Sequence, residues 1–176
     1  MRSRAALRLA LLRLVERKPF EDIAVREIAA EAGVTFPTFY RQYATKEALL
    51  SDIATDELHH MAVLMRSRPD QGDLNRAARA ICDYVEERRS LWTALLTTGA
   101  ASVMRAEFVA LTHAFVEQEG RINPDFPADM VASYVVSAAF DILAWWLRQP
   151  ADYPVDRVAR YLEVLVLRPA NTPAPG

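Results

Sequence analysis

Apolar residues recur at helical spacing along most of the 176-residue chain. Over 5–17, Leu7, Ala10, Leu11 and Leu14 form one apolar stripe with basic residues outside it, which is typical of an amphipathic helix. The same periodicity predicts further helices over 25–32, from Thr35 onwards, and over 46–65, 74–89, 91–97, 101–118, 128–149 and 155–167. The stretch 128–149 is apolar on nearly every face, so it must be buried on more than one side.

Breaking and capping residues lie where these helices are expected to end or begin. Pro19 ends the first helix, and Gly33 ends the second. Thr35 and Thr45 can cap the third and fourth. The pattern therefore predicts an all-α fold with a helix-turn-helix domain over 1–45, a larger helical domain over 46–167, and a proline-containing disordered tail over 168–176.

Composition supports the helical interpretation and excludes several function classes. The chain has only 5 glycines, and its 52% hydrophobic and 25% charged residues are typical of a soluble globular protein. Cys82 is the only cysteine, and the three histidines lack ligand spacing, so we expect no disulfide, metal or cofactor. Charged residues interrupt each apolar run, which argues against a signal peptide or a membrane span and favours a cytoplasmic protein.

Charge is distributed unevenly along the chain. Residues 1–50 contain nine Lys or Arg and six Asp or Glu, a net charge of +3. The remaining residues contain 12 basic and 17 acidic side chains, a net charge of −5. A basic N-terminal part favours nucleic acid as its partner.

The most informative segment is 28–50, which has the pattern of a helix, a glycine-containing turn and a second short helix. Val34, Phe39 and Tyr43 are spaced to pack the two helices together. The residues left on the outer face are hydroxyl, aromatic, cationic and amide side chains, namely Thr35, Phe36, Thr38, Tyr40, Arg41 and Gln42. Such groups suit DNA phosphates and base edges.

Residues 7–50 resemble the DNA-binding domain of TetR-family repressors. Four short runs carry the resemblance: Val25-Arg26-x-Ile28-Ala29, Ala32-Gly33-Val34-Thr35, Thr38-Phe39-Tyr40 and Lys46-Glu47-Ala48-Leu49. The resemblance implies an all-helical homodimer that binds a palindromic operator in double-stranded DNA. It covers about a quarter of the chain, and the remainder resembles the family only in being helical.

The resemblance also implies roles for individual residues. The expected DNA contacts are Arg26, Thr35, Phe36, Pro37, Thr38, Tyr40, Arg41, Gln42 and Lys46. Among them, Tyr40 and Lys46 are expected to bind phosphates, and Thr35 and Thr38 to anchor the recognition helix on the DNA backbone. Phe36, Pro37 and Arg41 occupy base-reading positions, and we hypothesise that Phe36 touches a thymine methyl group.

Two features depart from the family pattern. Ala24 occupies the position of the usual Ser or Thr cap of the second helix, so no capping box is expected opposite Glu27. The basic N-terminal arm is limited to Arg2 and Arg4, which leaves little to reach into a minor groove.

The C-terminal part offers candidates for ligand binding that could equally be core residues. These candidates are Tyr84, Trp92, Phe108, Phe115, Tyr134, Asp141 and Trp145. A carboxylate within an apolar helix needs a partner, so Asp141 is expected to meet an arginine across an interface or to face a polar ligand. The helices over 128–149 and 155–167 are expected to form a four-helix bundle with a second copy.

The sequence favours a transcriptional repressor that an unidentified small apolar or amphipathic molecule releases from DNA. A constitutive dimeric DNA-binding protein is the alternative. A helical enzyme is a further alternative, but no catalytic residues, phosphate-binding glycine loop or metal-ligand spacing support it.

Overall fold

The computed structural model describes residues 2–66, 73–97, 101–119 and 126–171. These residues form helices joined by turns and short loops, and they contain no strand. The elements are α1 (Arg2–Val15), a 3-10 turn (Phe20–Asp22), α2 (Val25–Glu31), α3 (Phe36–Gln42), α4 (Lys46–Arg66), α5 (Leu74–Glu87), α6 (Arg89–Thr97), α7 (Ala101–Glu119), α8 (Ala128–Leu147), α9 (Val155–Leu162), a π-helical segment (Glu163–Leu167) and α10 (Arg168–Asn171). The predicted all-α class is confirmed.

The helices form two compact units. The first contains Met1–Glu57 and Arg89–Met104, and the second contains Leu58–Arg88 and Arg105–Gly176. The division differs from the expected boundary after residue 45, because the first half of α4 and all of α6 belong to the N-terminal unit.

The first unit is held together by apolar side chains from every helix that it contains. Leu7 and Leu11 of α1, Phe39 of α3 and Trp92 of α6 are fully buried. Truncating a side chain buried at this level to alanine costs about 2–5 kcal/mol of stability. In this small core, α2 and α3 pack against each other and against α1.

In the second unit, α9 packs against both α5 and α8. Its core includes Val85, Phe140, Trp146 and Leu162, all at most 2% exposed. Cys82 is also fully buried there, which agrees with its interpretation as a small core residue.

The last helix does not stop where the sequence suggests. The tail was expected to begin at residue 168, but helical structure continues through the π-helical segment to Asn171, while 172–176 lie outside the described residues. Pro169 has no N–H to donate to the carbonyl four residues earlier, that of Leu165. The Tyr134 hydroxyl of α8 donates a hydrogen bond to that carbonyl at 2.7 Å. This donor from another helix helps the chain to remain helical through a proline.

Helix α8 has the length and mean hydropathy (1.6) of a membrane-spanning helix. Within the protein, 44% of its apolar window is buried, and the core helix of a soluble protein can have the same length and hydropathy. Asp129 and Asp141 also interrupt its surface. One such helix is weak evidence for a membrane span.

Candidate nucleic-acid interface

The turn between α2 and α3 is closed by backbone hydrogen bonds around Gly33. The Val34 N–H donates to Ala29 O at 2.9 Å, and the Gly33 N–H donates to Ala30 O at 3.1 Å. This pair of bonds is a Schellman motif, which requires a left-handed residue, and Gly33 has φ +65°. The predicted role of Gly33 is therefore confirmed, and the turn sets the angle at which α3 leaves α2.

Helix α3 buries one side and exposes the other. Phe39 is fully buried and Tyr43, just after α3, is 7% exposed, as predicted for the packing side. Phe36 (40% exposed) and Tyr40 (50% exposed) are large rings on the outer side. Pro37, Arg41 and Gln42 are also exposed, and Thr38 is half-buried.

Two aromatic contacts fix the orientation of Phe36. Its ring meets Tyr40 edge to face, with centroids 5.0 Å apart. The Arg26 guanidinium of α2 lies 5.5 Å from the Phe36 ring centroid. Contacts of both kinds are favourable for aromatic rings. Phe36 therefore presents an oriented apolar surface rather than a freely rotating side chain.

The two threonines at the start of α3 bind each other. Thr35 Oγ1 lies 2.8 Å from Thr38 Oγ1. Thr35 occupies the N-cap position, but its side chain makes no capping hydrogen bond to the backbone, contrary to expectation. At α4 the prediction holds, since Thr45 Oγ1 accepts from the Ala48 N–H at 3.1 Å.

Helix α2 has half of the capping box that the sequence was expected to lack. The Glu27 carboxylate accepts a hydrogen bond from the Ala24 N–H at 2.8 Å. Hydrogen bonds from Lys18 and from this backbone N–H hold the pKa of Glu27 below its usual value. The Ala24 methyl group cannot accept the second hydrogen bond of a capping box, the one from the Glu27 N–H.

Most cations of the first unit are already paired. Arg13 and Arg17 lie against Glu31, and Lys18 binds Glu27. Among the cations whose side chains the structure describes between residues 3 and 57, only Arg26 and Arg41 have neither a carboxylate nor a carbonyl partner. Both are exposed, on α2 and α3 respectively. The positive charge still available in this part of the chain therefore lies on the helix-turn-helix.

Lys46 was expected to bind a phosphate, and its ammonium group is instead surrounded by backbone oxygens. It donates to the carbonyls of Phe20, Glu21 and Ile23 at 2.9, 3.0 and 2.9 Å. These three bonds use all the donors that a lysine has.

Arg4, expected to form part of a short basic arm, is tied to α4. Its guanidinium pairs with Asp52 and donates from Nε to the Tyr43 hydroxyl at 3.0 Å. Tyr43 donates to Asp52 Oδ2 at 2.6 Å, and Arg8 bridges Asp52 and Asp56. The Arg2 side chain lies outside the described residues.

This Asp52 network shifts two titrations. Burial alone would raise the pKa of Asp52, but hydrogen bonds from Arg4, Tyr43 and Arg8 outweigh it and hold the pKa at about 2. Burial and the bond to Asp52 raise the pKa of Tyr43 to about 12. Sequence reasoning missed the network, although Arg4 and Arg8 are spaced i, i+4, as are Asp52 and Asp56.

The candidate ligand-binding residues do not line one common site in the part of the chain that the structure describes. Trp92 is fully buried in the first unit, and the Phe115 side chain lies outside the described part of the chain. Tyr84 faces the Arg88 guanidinium at 4.4 Å. Trp145, 39% exposed, meets Tyr153 edge to face at 5.4 Å.

Tyr134 and Asp141 lie along one open depression on the surface of α8. Asp141 Oδ1 accepts from Arg105 Nη2 at 2.9 Å, so its arginine partner comes from α7 of the same chain. Phe108 stacks on Phe140 nearby, with centroids 5.5 Å apart. In the part of the chain that the structure describes, no cluster of three metal-ligating side chains occurs.

Comparison with known proteins agrees with this geometry. Residues 7–53 match the family model of bacterial regulatory proteins of the tetR family. The uncharacterised HTH-type transcriptional regulator YxbF of Bacillus subtilis is 24% identical over 168 residues, which are 91% of this chain and 43% of that protein. The chain thus spans less than half the length of this curated relative.

Solved structures share the fold over nearly the whole chain. Thermus thermophilus FadR, a TetR-family transcriptional repressor in complex with lauroyl-CoA, superposes with a TM-score of 0.74 at 19% identity, covering 98% of this chain and 99% of that one. RolR in complex with resorcinol gives 0.68 at 16% identity, covering 93% and 87%. Residues 7–53 thus match the family model of bacterial regulatory proteins of the tetR family, and the chain as a whole shares the all-helical fold of these solved structures.

Proposed function

We propose that this protein is a transcriptional regulator of the tetR family, a homodimeric repressor that reads a palindromic operator through α3 and releases it when a small apolar or amphipathic molecule binds. The observation that carries the DNA-reading role is the outer face of α2 and α3. There Arg26 and Arg41 have no carboxylate partner among the residues that the structure describes, and they lie beside two exposed aromatic rings. DNA binding depends on such cations, because they displace the counterions of the phosphates.

The proposed contacts divide into two classes. Tyr40, Thr35 and Thr38 have hydroxyl groups that suit phosphate oxygens. The guanidinium of Arg41 can bind a phosphate as well as a base edge. Gln42 carries donors that suit base edges, and the apolar ring of Phe36 suits a thymine methyl group. Because Arg26 and Tyr40 hold the Phe36 ring, that contact would require little further ordering.

Dimerisation is proposed through α8 and the segment that follows α9. Met130, Tyr134, Val164 and Leu165 are large side chains that are 41–56% exposed there. A second copy of the chain would cover these side chains. Two copies related by a two-fold axis would present two α3 helices to successive major grooves, which explains the expected palindrome.

Ligand control is proposed by analogy with the two relatives whose structures contain lauroyl-CoA and resorcinol. A ligand releases DNA only if it binds more tightly to the conformation that cannot bind the operator. If no small molecule releases the DNA, the chain is a constitutive DNA-binding protein. In either case the protein acts where DNA is accessible, in the cytoplasm.

Salt dependence of DNA binding tests the role of the unpaired cations. Fluorescence anisotropy would measure Kd for a duplex enriched from a random library, at several salt concentrations. Arg41→Ala should reduce the slope of log K against log salt by about 1. Arg17→Ala, which removes an exposed arginine already paired with Glu31, is the matched control and should leave the slope unchanged. Equal slopes for wild type and Arg41→Ala would contradict the proposed interface.

A further inference from the structure

Lys46 occupies an unusual position at the first residue of α4. Its Nζ lies within 3.0 Å of three backbone carbonyl oxygens, which belong to Phe20, Glu21 and Ile23. The same nitrogen is 4.6 Å from the centroid of the Phe20 ring. A positive charge at a helix N-terminus is unfavourable for the helix dipole, so a specific set of partners must hold it there.

The three carbonyls belong to the single 3-10 turn that precedes α2. The Phe20 carbonyl also accepts a hydrogen bond from the Ile23 N–H at 3.1 Å, which closes the turn. The last carbonyls of a helical turn have no partner within the turn itself. Lys46 donates to the carbonyls of Phe20, Glu21 and Ile23 from 23–26 residues further along the sequence. Phe20 and Ile23 are anchored in the core, at 4% and 1% exposed.

These bonds close a loop that contains both helices of the helix-turn-helix. Residues 20–23 lie just before α2, and Lys46 lies just after α3. The ammonium group therefore ties together the two ends of the segment that carries every exposed residue of the proposed interface. A phosphate could gain a bond from Lys46 only if a carbonyl lost one, because a lysine has three donors.

We propose that Lys46 is a positioning residue: it fixes α2 and α3 by binding the carbonyls of the preceding turn, and it does not act as a phosphate ligand. This inference rests on the proposed DNA-binding function. It reassigns the role that the family resemblance implies for this lysine.

Lys46→Arg separates the two roles. Arginine keeps the positive charge and binds phosphate well, but its planar fork cannot direct three donors towards three converging carbonyls. If Lys46 positions the helices, Lys46→Arg should bind the enriched duplex at least about fivefold more weakly, which is the smallest usual cost of one wrong base pair. Its affinity for a scrambled duplex and its salt slope should match those of wild type.

Lys46→Met provides a second test, because it removes the positive charge. If Lys46 is a positioning residue, Lys46→Met should weaken specific binding as Lys46→Arg does and leave the salt slope unchanged. Both variants should unfold at a lower temperature than wild type. Binding is measured well below those unfolding temperatures, as verified by circular dichroism. Arg41→Met is the matched control, for which the slope should fall by about 1.

Two results would overturn the proposal. One is that Lys46→Arg binds the enriched duplex with the same affinity as wild type. The other is a slope reduced by about 1 for Lys46→Met, which is the mark of a lost phosphate contact. If wild type itself shows no sequence preference, the proposed function fails separately. The unfolding temperatures of the two Lys46 variants would then decide the positioning claim, and unchanged values would refute it.

Discussion

Replacing Asp52 with asparagine tests the polar link between α1 and α4. The Asp52 side chain is 17% exposed and accepts hydrogen bonds from Arg4, Arg8 and Tyr43. An asparagine at this position would keep the shape of the side chain but lose the charge that the two arginines face. The variant should therefore fold to the same structure with a lower free energy of unfolding.

The lowered pKa of Asp52 gives the size of the expected loss in the free energy of unfolding. A decrease from 3.8 to about 2 corresponds to roughly 2 kcal/mol at about 1.4 kcal/mol per pKa unit. Arg4 is 56% exposed, so solvent screening reduces this figure, and we expect a loss of about 1–2 kcal/mol at pH 7. For a chain of this length the melting temperature should fall by about 2–8 °C.

Urea unfolding followed by circular dichroism measures the effect, with Asp56→Asn as the matched control. Asp56 binds only Arg8 in this network and its side chain is 57% exposed, so its loss should cost less than about 1 kcal/mol. An Asp52→Asn variant that is as stable as the control at pH 7 would refute the assignment of Asp52 as the centre of the network.

The pH dependence gives an independent check. Because the pKa of Asp52 is lowered by folding, its contribution is fully present above its unfolded pKa of about 4 and is lost as the pH falls through about 2. The stability difference between wild type and Asp52→Asn should therefore shrink over that range. A difference that stays constant from pH 7 to pH 2 would contradict the pKa assignment.

Three further substitutions test local features, all by urea unfolding. Ala24→Ser should add the missing half of the capping box opposite Glu27 and stabilise the protein by about 1 kcal/mol, and no gain would mean that the α2 terminus is already satisfied. Gly33→Ala should destabilise by about 1–2 kcal/mol, because an L residue is strained at φ +65°, and a neutral effect would contradict the turn geometry. Tyr134→Phe should cost about 1 kcal/mol by removing the hydrogen bond to Leu165 O, and an equally stable variant would show that this carbonyl needs no donor from α8.

Much of the fold follows from local sequence. The predicted start and end of α2 are within one residue of the observed ones, because Gly33 and the apolar spacing of Ile28 and Ala29 act over one or two turns. The exposed face of α3 was equally predictable, since helical periodicity alone separates Phe39 from Phe36 and Tyr40.

The features that sequence reasoning missed depend on partners that are distant in the chain. Lys46 binds carbonyls of the 3-10 turn at Phe20–Asp22, and no local sequence pattern predicts that contact. Helix continues past Pro169 where the isolated sequence indicates a stop, and the carbonyl left without its N–H binds Tyr134 from α8. The partners of Arg4 and Asp141 were likewise set by tertiary packing.

Selection of duplexes from a random library tests the central claim most directly. We predict enrichment of a two-fold symmetric site, whose affinity measured by anisotropy falls steeply as salt increases. Failure to enrich any sequence, with binding that stays in the non-specific range of about 10⁻⁴–10⁻⁶ M even at low salt, would contradict the account of α3 as a DNA-reading helix.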